Sequence, residues 1–147
     1  MTFKMHKILF VCLGNICRSP MAEFLLKYEV EKLGIAKNFQ IESRGTSDEE
    51  EGNPVHYGTA QILDRLGIDY SHKRAHRISK DDVMAFDYII CMDYNNVRSL
   101  EYRFGKSNKF QMLLDRNIAD PWYTGNFDST YRDIILGIEL LLKKLNY

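Results

Sequence analysis

Residues 8–21, Ile8-Leu9-Phe10-Val11-Cys12-Leu13-Gly14-Asn15-Ile16-Cys17-Arg18-Ser19-Pro20-Met21, decide the fold of this chain. A strand with one wet face alternates apolar and polar residues, whereas the run Ile8 to Cys12 is apolar throughout, as in a parallel strand covered on both faces. Gly14-Asn15 ends the run. Ser19-Pro20 then reads as an N-cap with proline at the first helical position, and Met21, Phe24, Leu25 and Tyr28 follow at helical spacing. The expectation is a first, central strand, a short loop, and a helix opening directly behind it.

The pattern recurs downstream. Phe39 to Ser43 alternates as a second strand, and Ala60, Leu63 and Leu66 line a second helix that Gly67 can end. Tyr88-Ile89-Ile90-Cys91-Met92 reads as a third buried strand, and Phe110 to Leu114 as a shorter fourth. Tyr131, Ile134, Ile135, Ile138, Leu141, Leu142 and Leu145 share one stripe of a closing amphipathic helix. Strands alternating with helices imply the α/β class: a single doubly wound domain over residues 1–147, with a parallel sheet and ligands bound beyond the carboxyl ends of its strands. A chain of 147 residues suits one such domain.

Formal charge sums to zero, so no global field favours nucleic acid. The cysteines, Cys12, Cys17 and Cys91, are odd in number and too few for a disulfide scaffold, which points to a reducing, cytoplasmic setting. Ile8 to Leu13 is too short to span a bilayer and runs into Gly14, Asn15 and Arg18 instead of a cleavage site, so membrane insertion is not expected. The clusters Asp48-Glu49-Glu50-Glu51 and Lys73-Arg74-Ala75-His76-Arg77 read most simply as solvated loops.

The loop Cys12-Leu13-Gly14-Asn15-Ile16-Cys17-Arg18-Ser19 places a thiol and a guanidinium at opposite ends of a turn before a helix. Backbone N–H groups from Leu13 to Ser19 and the positive helix end can cradle a phosphate dianion. Gly14 and Asn15 tolerate positive φ, which lets the loop curl inward. Arg18 supplies a planar fork for two phosphate oxygens. In that field Cys12 can act as a thiolate nucleophile, with Ser19 as a hydrogen-bond donor to it. A leaving oxygen needs a proton, and Asp120, stiffened by Pro121 and flanked by Trp122 and Tyr123, is the best-placed carboxylic acid. Cys17 either packs beneath the loop or captures an oxidised Cys12 as a disulfide; Cys91, inside an apolar strand, is expected to be core.

Val11-Cys12-Leu13-Gly14-Asn15-Ile16-Cys17-Arg18-Ser19-Pro20-Met21-Ala22-Glu23 resembles the signature of the low-molecular-weight protein tyrosine phosphatases. Gly52-Asn53-Pro54, the Phe86 to Asp93 run and the Asp120-Pro121 turn follow in that family's order and spacing. The resemblance implies four parallel strands flanked by helices, a phosphocysteine on Cys12, phosphate binding by Arg18 and general acid/base work by Asp120. It also implies that Asn15, Ser19 and Ser43 form a network holding the loop. His72 joins that network in one of two registers, a single residue apart, in which the basic segment aligns; in the other it is merely structural. No metal or cofactor is implied, and the partners are tyrosine-phosphorylated proteins. Two departures bear on specificity: Trp122 stands where the family has a first tyrosine, beside Tyr123, and Asp48, Glu49 and Glu50 stand where many members carry aromatic or apolar residues. Trp122, Tyr123, Glu49 and Glu50 form the expected substrate wall.

Rival readings differ in what they require. Related arsenate reductases need a relay of further cysteines, and Cys91 stands alone. Protein-arginine phosphatases of the same family tend to carry threonine where Ile16 stands, and Ile16 suits a flat phenyl ring better than a phosphoguanidinium. A non-catalytic phosphoprotein-binding module needs neither a thiolate nor a general acid. The four histidines show no paired metal-ligand spacing.

Overall fold

The computed structural model describes residues 4–147; the first three residues of the expected domain lie outside them. Its elements in chain order are β1 (His6–Cys12), α1 (Arg18–Lys32), β2 (Phe39–Gly45), α2 (Tyr57–Arg65), α3 (Lys80–Ala85), β3 (Tyr88–Cys91), α4 (Tyr94–Phe104), β4 (Phe110–Met112), α5 (Pro121–Thr124) and α6 (Phe127–Lys144). Four parallel strands form one sheet in the order β2-β1-β3-β4. The expected α/β class and the four strands stand, with β2 running two residues further than its alternation suggested and β3 and β4 ending sooner.

β1 is interior, and the uninterrupted apolar run has a direct cause. Ile8, Phe10 and Cys12 point into a core built with Met21, Leu25, Leu63, Ile134 and Ile138 from α1, α2 and α6. Leu9 and Val11 point the other way, into a second core with Ile78, Phe86, Ile89, Cys91 and Leu100. A period of two places each neighbour on the opposite face, so a strand with helices on both sides has no position for a polar residue. The chain leaves β1 for β2 on one side and returns to β3 on the other, making the carboxyl end of β1 the switch point where a doubly wound sheet opens a crevice.

Helix α1 departs from expectation at its start. Ser19-Pro20 is not the cap: the helix begins at Arg18, Cys17 occupies the N-cap position without a side-chain cap bond, and the Ser19 side chain turns inward. The local N-cap signal was outcompeted by more demanding partners for that hydroxyl.

Gly137 brings α6 against the sheet. A Cβ there would lie 2.4 Å from Leu113 Cγ and under 3 Å from both its methyls. Gly137→Ala should therefore lower Tm, with about 1–3 kcal/mol of overpacking exceeding the ~1 kcal/mol gained in helix propensity. A double-mutant cycle with Leu113→Ala should return a favourable coupling; a rise in Tm for the single variant would refute the tight contact.

Candidate active site

Between β1 and α1 the backbone turns around the Cys12 sulfur. Asn15 N–H donates to Sγ at 3.3 Å, Ser19 N–H at 3.4 Å, and Ser19 Oγ lies 3.0 Å away. The turn depends on Asn15, which sits in the left-handed region at φ 60°, where asparagine is among the few side chains tolerated. Gly14 does not share that conformation. Its role is spatial, since a Cβ on Gly14 would meet Glu50 Cγ at 3.3 Å. Among the described residues the amides of Gly14, Ile16 and Cys17 donate to no protein acceptor, leaving donors clustered at a helix N-terminus, where an anion binds favourably.

Asn15 also organises what lies beneath. Its Oδ1 accepts from His76 N–H at 3.0 Å, which fixes the amide so that both Nδ2 hydrogens point to hydroxyls, Ser19 Oγ at 2.8 Å and Ser43 Oγ at 3.0 Å. Ser19 thus accepts from Asn15 and has its own hydrogen left for Cys12 Sγ or, at a weaker 3.4 Å, for Arg44 O. Ser43 passes its hydrogen to Glu23 Oε1 at 2.6 Å. Glu23 is in turn held by Lys73 at 3.2 Å and Lys27 at 2.6 Å, and Lys73 also donates to Ser43 O at 2.9 Å. Each donor direction in this chain follows from the one before it.

The expected network of Asn15, Ser19 and Ser43 is assembled, but His72 lies outside it. His72 is exposed and stands edge-on to Phe24 with ring centroids 5.9 Å apart. The inward position is taken by Lys73, only 8% exposed, so this part of the basic cluster is no solvated loop. Burial opposes the charge on Glu23, yet the ammonium groups of Lys73 and Lys27 and the Ser43 hydroxyl outweigh it, and its carboxyl sits below the usual range. Burial also pulls Lys73 below its usual range, against the pull of Glu23. Glu51, at the end of the acidic cluster, bonds His76 Nδ1 and accepts from Arg77 N–H, tying the two charge clusters together.

Arg18 is 2% exposed at the cleft floor. Its Nη1 donates to Asp93 Oδ2 at 2.7 Å and Ile118 O at 2.9 Å, while Nη2 lies 3.4 Å from Asp120 Oδ2. Burial works against its charge, but Cys12, Asp93 and Asp120 more than offset it and raise its pKa. Asp93 does double service, since its Oδ1 caps α4 through Asn96 N–H. Asp120 caps α5 by accepting from Trp122 N–H at 3.1 Å, with Pro121 at the first helical position, so one oxygen is fixed and the other faces Arg18.

Cys12, Leu13, Gly14, Ile16, Cys17, Arg18, Glu49, Glu50, Asp120, Trp122 and Tyr123 line a single cleft. Every residue expected at the nucleophile, acid and wall positions is therefore in one place. Trp122 and Tyr123 are exposed, and Trp122 packs edge-on against His56 at 5.6 Å. Cys17 packs with Ile16, Ala75 and Phe127, and burial, with Cys12 nearby, pushes its thiol up to about 12. Cys91 is wholly buried and its thiol is raised further by burial. Sequence reasoning missed Glu23, Lys73 and Asp93 as members of the site. Only Asp93 carried a local signal, a helix-capping Asp-x-x-Asn at the end of a buried strand.

Comparison with known proteins fits this geometry. The family model for low molecular weight phosphotyrosine protein phosphatase matches residues 7–147. The chain is 41% identical over 150 aligned positions to the low molecular weight protein-tyrosine-phosphatase YfkJ of Bacillus subtilis, covering 96% of each. The YfkJ crystal structure superposes with a TM-score of 0.92 over 97% of this chain and 96% of that one, at 39% identity. The human low molecular weight phosphotyrosine protein phosphatase is 36% identical over 93% of this chain and 94% of its own. A Drosophila arginine phosphatase structure aligns at 30% identity with a TM-score of 0.87, covering 96% and 98%. Matched by the family model over residues 7–147 and by a relative 41% identical across 96% of both chains, this chain belongs to the low molecular weight phosphotyrosine protein phosphatases.

Proposed function

We propose that this enzyme hydrolyses phosphotyrosine in proteins through a phosphocysteine on Cys12, with Arg18 binding the phosphoryl group and Asp120 as general acid and then base. The observation that carries the proposal is the convergence on Cys12 Sγ of two amides and the Ser19 hydroxyl, with Asp120 on the same cleft. Donors aimed at sulfur stabilise a thiolate. The thiolate attacks phosphorus, the P–O bond to the tyrosyl ring breaks, and the carboxylic acid of Asp120 passes its proton to the departing phenolate oxygen. Water then attacks the phosphocysteine, Asp120 takes the water's proton, and phosphate leaves with the thiolate restored.

Arg18 spends Nη1 on Asp93 and Ile118 and one Nη2 hydrogen on a long contact to Asp120, which leaves Nε–H and the other Nη2 hydrogen as a fork for two phosphate oxygens. Its fixed position means little reorganisation as charge shifts in the transition state. Leu13, Ile16, Trp122 and Tyr123 offer apolar surface to an aryl ring, which favours phosphotyrosine over phosphoarginine. The described residues include no helix long and apolar enough to cross a membrane, and we place the enzyme in the cytoplasm, where its three cysteines stay as thiols.

The test is turnover of p-nitrophenyl phosphate and of phosphotyrosine, phosphoserine and phosphoarginine peptides in EDTA. Cys12→Ser should abolish turnover while still binding phosphate or vanadate, and Arg18→Ala should lose both. Turnover retained by Cys12→Ser would end the phosphocysteine mechanism.

Asp120→Asn should slow phosphotyrosine hydrolysis by about 10²- to 10⁴-fold and slow substrates with better leaving groups less. Equal rates for variant and wild type across all leaving groups would assign the acid elsewhere.

Glu49 and Glu50 on the cleft rim repel acidic residues that directly flank the phosphotyrosine. A peptide with adjacent Lys should show a higher kcat/KM than its Glu counterpart, and both salt and Glu49→Gln/Glu50→Gln should shrink the ratio. A ratio near one at low salt would show the rim to be indifferent.

A further inference from the structure

A second groove, sharing no lining residue with the cleft, is enclosed by α4 and the segments around Thr46 and Arg77. It has a volume of about 410 Å³ and is lined by Thr46, Arg77, Arg98, Ser99, Tyr102 and Arg103. Its three arginines are exposed, and among the described residues none forms an ion pair. In a chain with as many acids as bases that grouping calls for an explanation: among the described residues Glu101, on the same helix, pairs with neither Arg98 nor Arg103, and Glu51, Glu42 and Asp82 are committed elsewhere. Glu51 holds His76, and Glu42 and Asp82 hold Arg44.

The guanidinium groups are also anchored. Arg103 Nη1 donates to Ile78 O at 2.6 Å and its guanidinium lies over the Phe104 ring, 4.6 Å from the centroid. Arg77 Nε donates to Thr46 O at 3.2 Å, and Arg98 Nη2 to Asn95 Oδ1 at 2.8 Å. Each anchor uses one of five N–H donors, so most of every fork remains free while its position is set in advance. Like charges held close without an ion-pair partner are relieved by an anion that brings several oxygens. The Ser99 and Tyr102 hydroxyls add donors on the same wall, and Tyr102 is 95% exposed.

We propose that this groove binds an acidic segment of the phosphoprotein substrate, at a distance from the phosphotyrosine in the cleft. The proposal rests on the phosphatase reading above and extends it. Thr46 on the groove and Glu49 on the cleft rim are three residues apart in sequence, so their Cα atoms lie within about 11 Å, a span that an extended peptide covers in roughly three residues. The preferred substrate therefore lacks acid beside the phosphotyrosine, where Glu49 and Glu50 repel it, and carries acid about four to seven residues away, where the arginines attract it. Carboxylates and a second phosphate share the required chemistry.

The test uses one phosphotyrosine peptide extended by four Glu, four Gln or a phosphoserine, starting four residues away on either the amino or the carboxyl side. The acidic peptides should exceed the Gln peptide in kcat/KM by about 5- to 20-fold at low salt on one side, with the advantage lost at high salt. A Glu peptide that gains as much as the phosphoserine peptide identifies carboxylates as sufficient; a gain by phosphoserine alone narrows the ligand to phosphate. Arg98→Gln/Arg103→Gln should bring the ratio within about twofold of one while p-nitrophenyl phosphate turnover is unchanged. Arg98→Gln alone, at an exposed position, should cause part of the loss without touching the fold. A ratio near one on both sides, or one that survives the double substitution, overturns the proposal. A single-stranded oligonucleotide that competes for the groove better than the acidic peptide also overturns it. Were wild type to leave every phosphotyrosine substrate intact, the phosphatase reading would be the one to fail, and fluorescence anisotropy of a labelled, unphosphorylated Glu peptide with wild type and the double variant would still decide the groove.

Discussion

The site hangs on the side-chain amide of Asn15. Because its oxygen is claimed by the His76 amide, its two hydrogens have one orientation available, and that orientation sets Ser19 toward Cys12 and Ser43 toward Glu23. The same residue carries the left-handed backbone that closes the loop. A single side chain therefore couples backbone curvature to the direction of every hydrogen in the network. No other residue type offers tolerance of positive φ together with one acceptor and two donors on so short a side chain. Aspartate would lose the donors, and glycine would keep the turn but leave three partners unsatisfied.

Beneath that amide the network ends in charge. Glu23 and Lys73 are both nearly buried, and neither would be tolerated there alone, since an isolated ion in a protein interior is costly by several kcal/mol. As a pair with Lys27 and Ser43 they give the network a fixed terminus. The arrangement resembles a mooring more than a source of stability: replacing a buried ion pair by apolar residues is often neutral for folding, but apolar residues could not hold Ser43 in one rotamer.

How much of this was legible in the sequence depended on distance along the chain. β1, the loop and α1 are contiguous, and their reading needed only the apolar run at Ile8 to Cys12, the Gly14-Asn15 turn and the helical spacing from Met21. Errors arose where a partner lay far away. Ser19 looked like a helix cap because Asn15 and Cys12 could not be seen to compete for its hydroxyl. Lys73 looked solvated because its partner Glu23 is fifty residues upstream in sequence, and a one-residue ambiguity moved the inward position onto His72. Gly14 was credited with a backbone role that Asn15 fills alone; the space beside its missing Cβ is bounded by Glu50, on a loop whose approach no local pattern encodes.

The four residues Ile8 to Val11 are wholly buried, and the loop around Cys12 continues directly from them. A loop spliced to so protected a strand has no independent life: it opens when the domain opens, within one cooperative unit. On the proposed reading of the loop as a phosphate cradle, an oxyanion seated in it binds the native state and ignores the unfolded one, so that orthophosphate is a folding ligand as well as a reaction product. At a hundred times its dissociation constant such a ligand adds about 2.7 kcal/mol, a sizeable share of the stability of any small domain. The thermal endurance of the enzyme is thus a property of its medium, and phosphate buffer and phosphate-free buffer present two different proteins to a calorimeter.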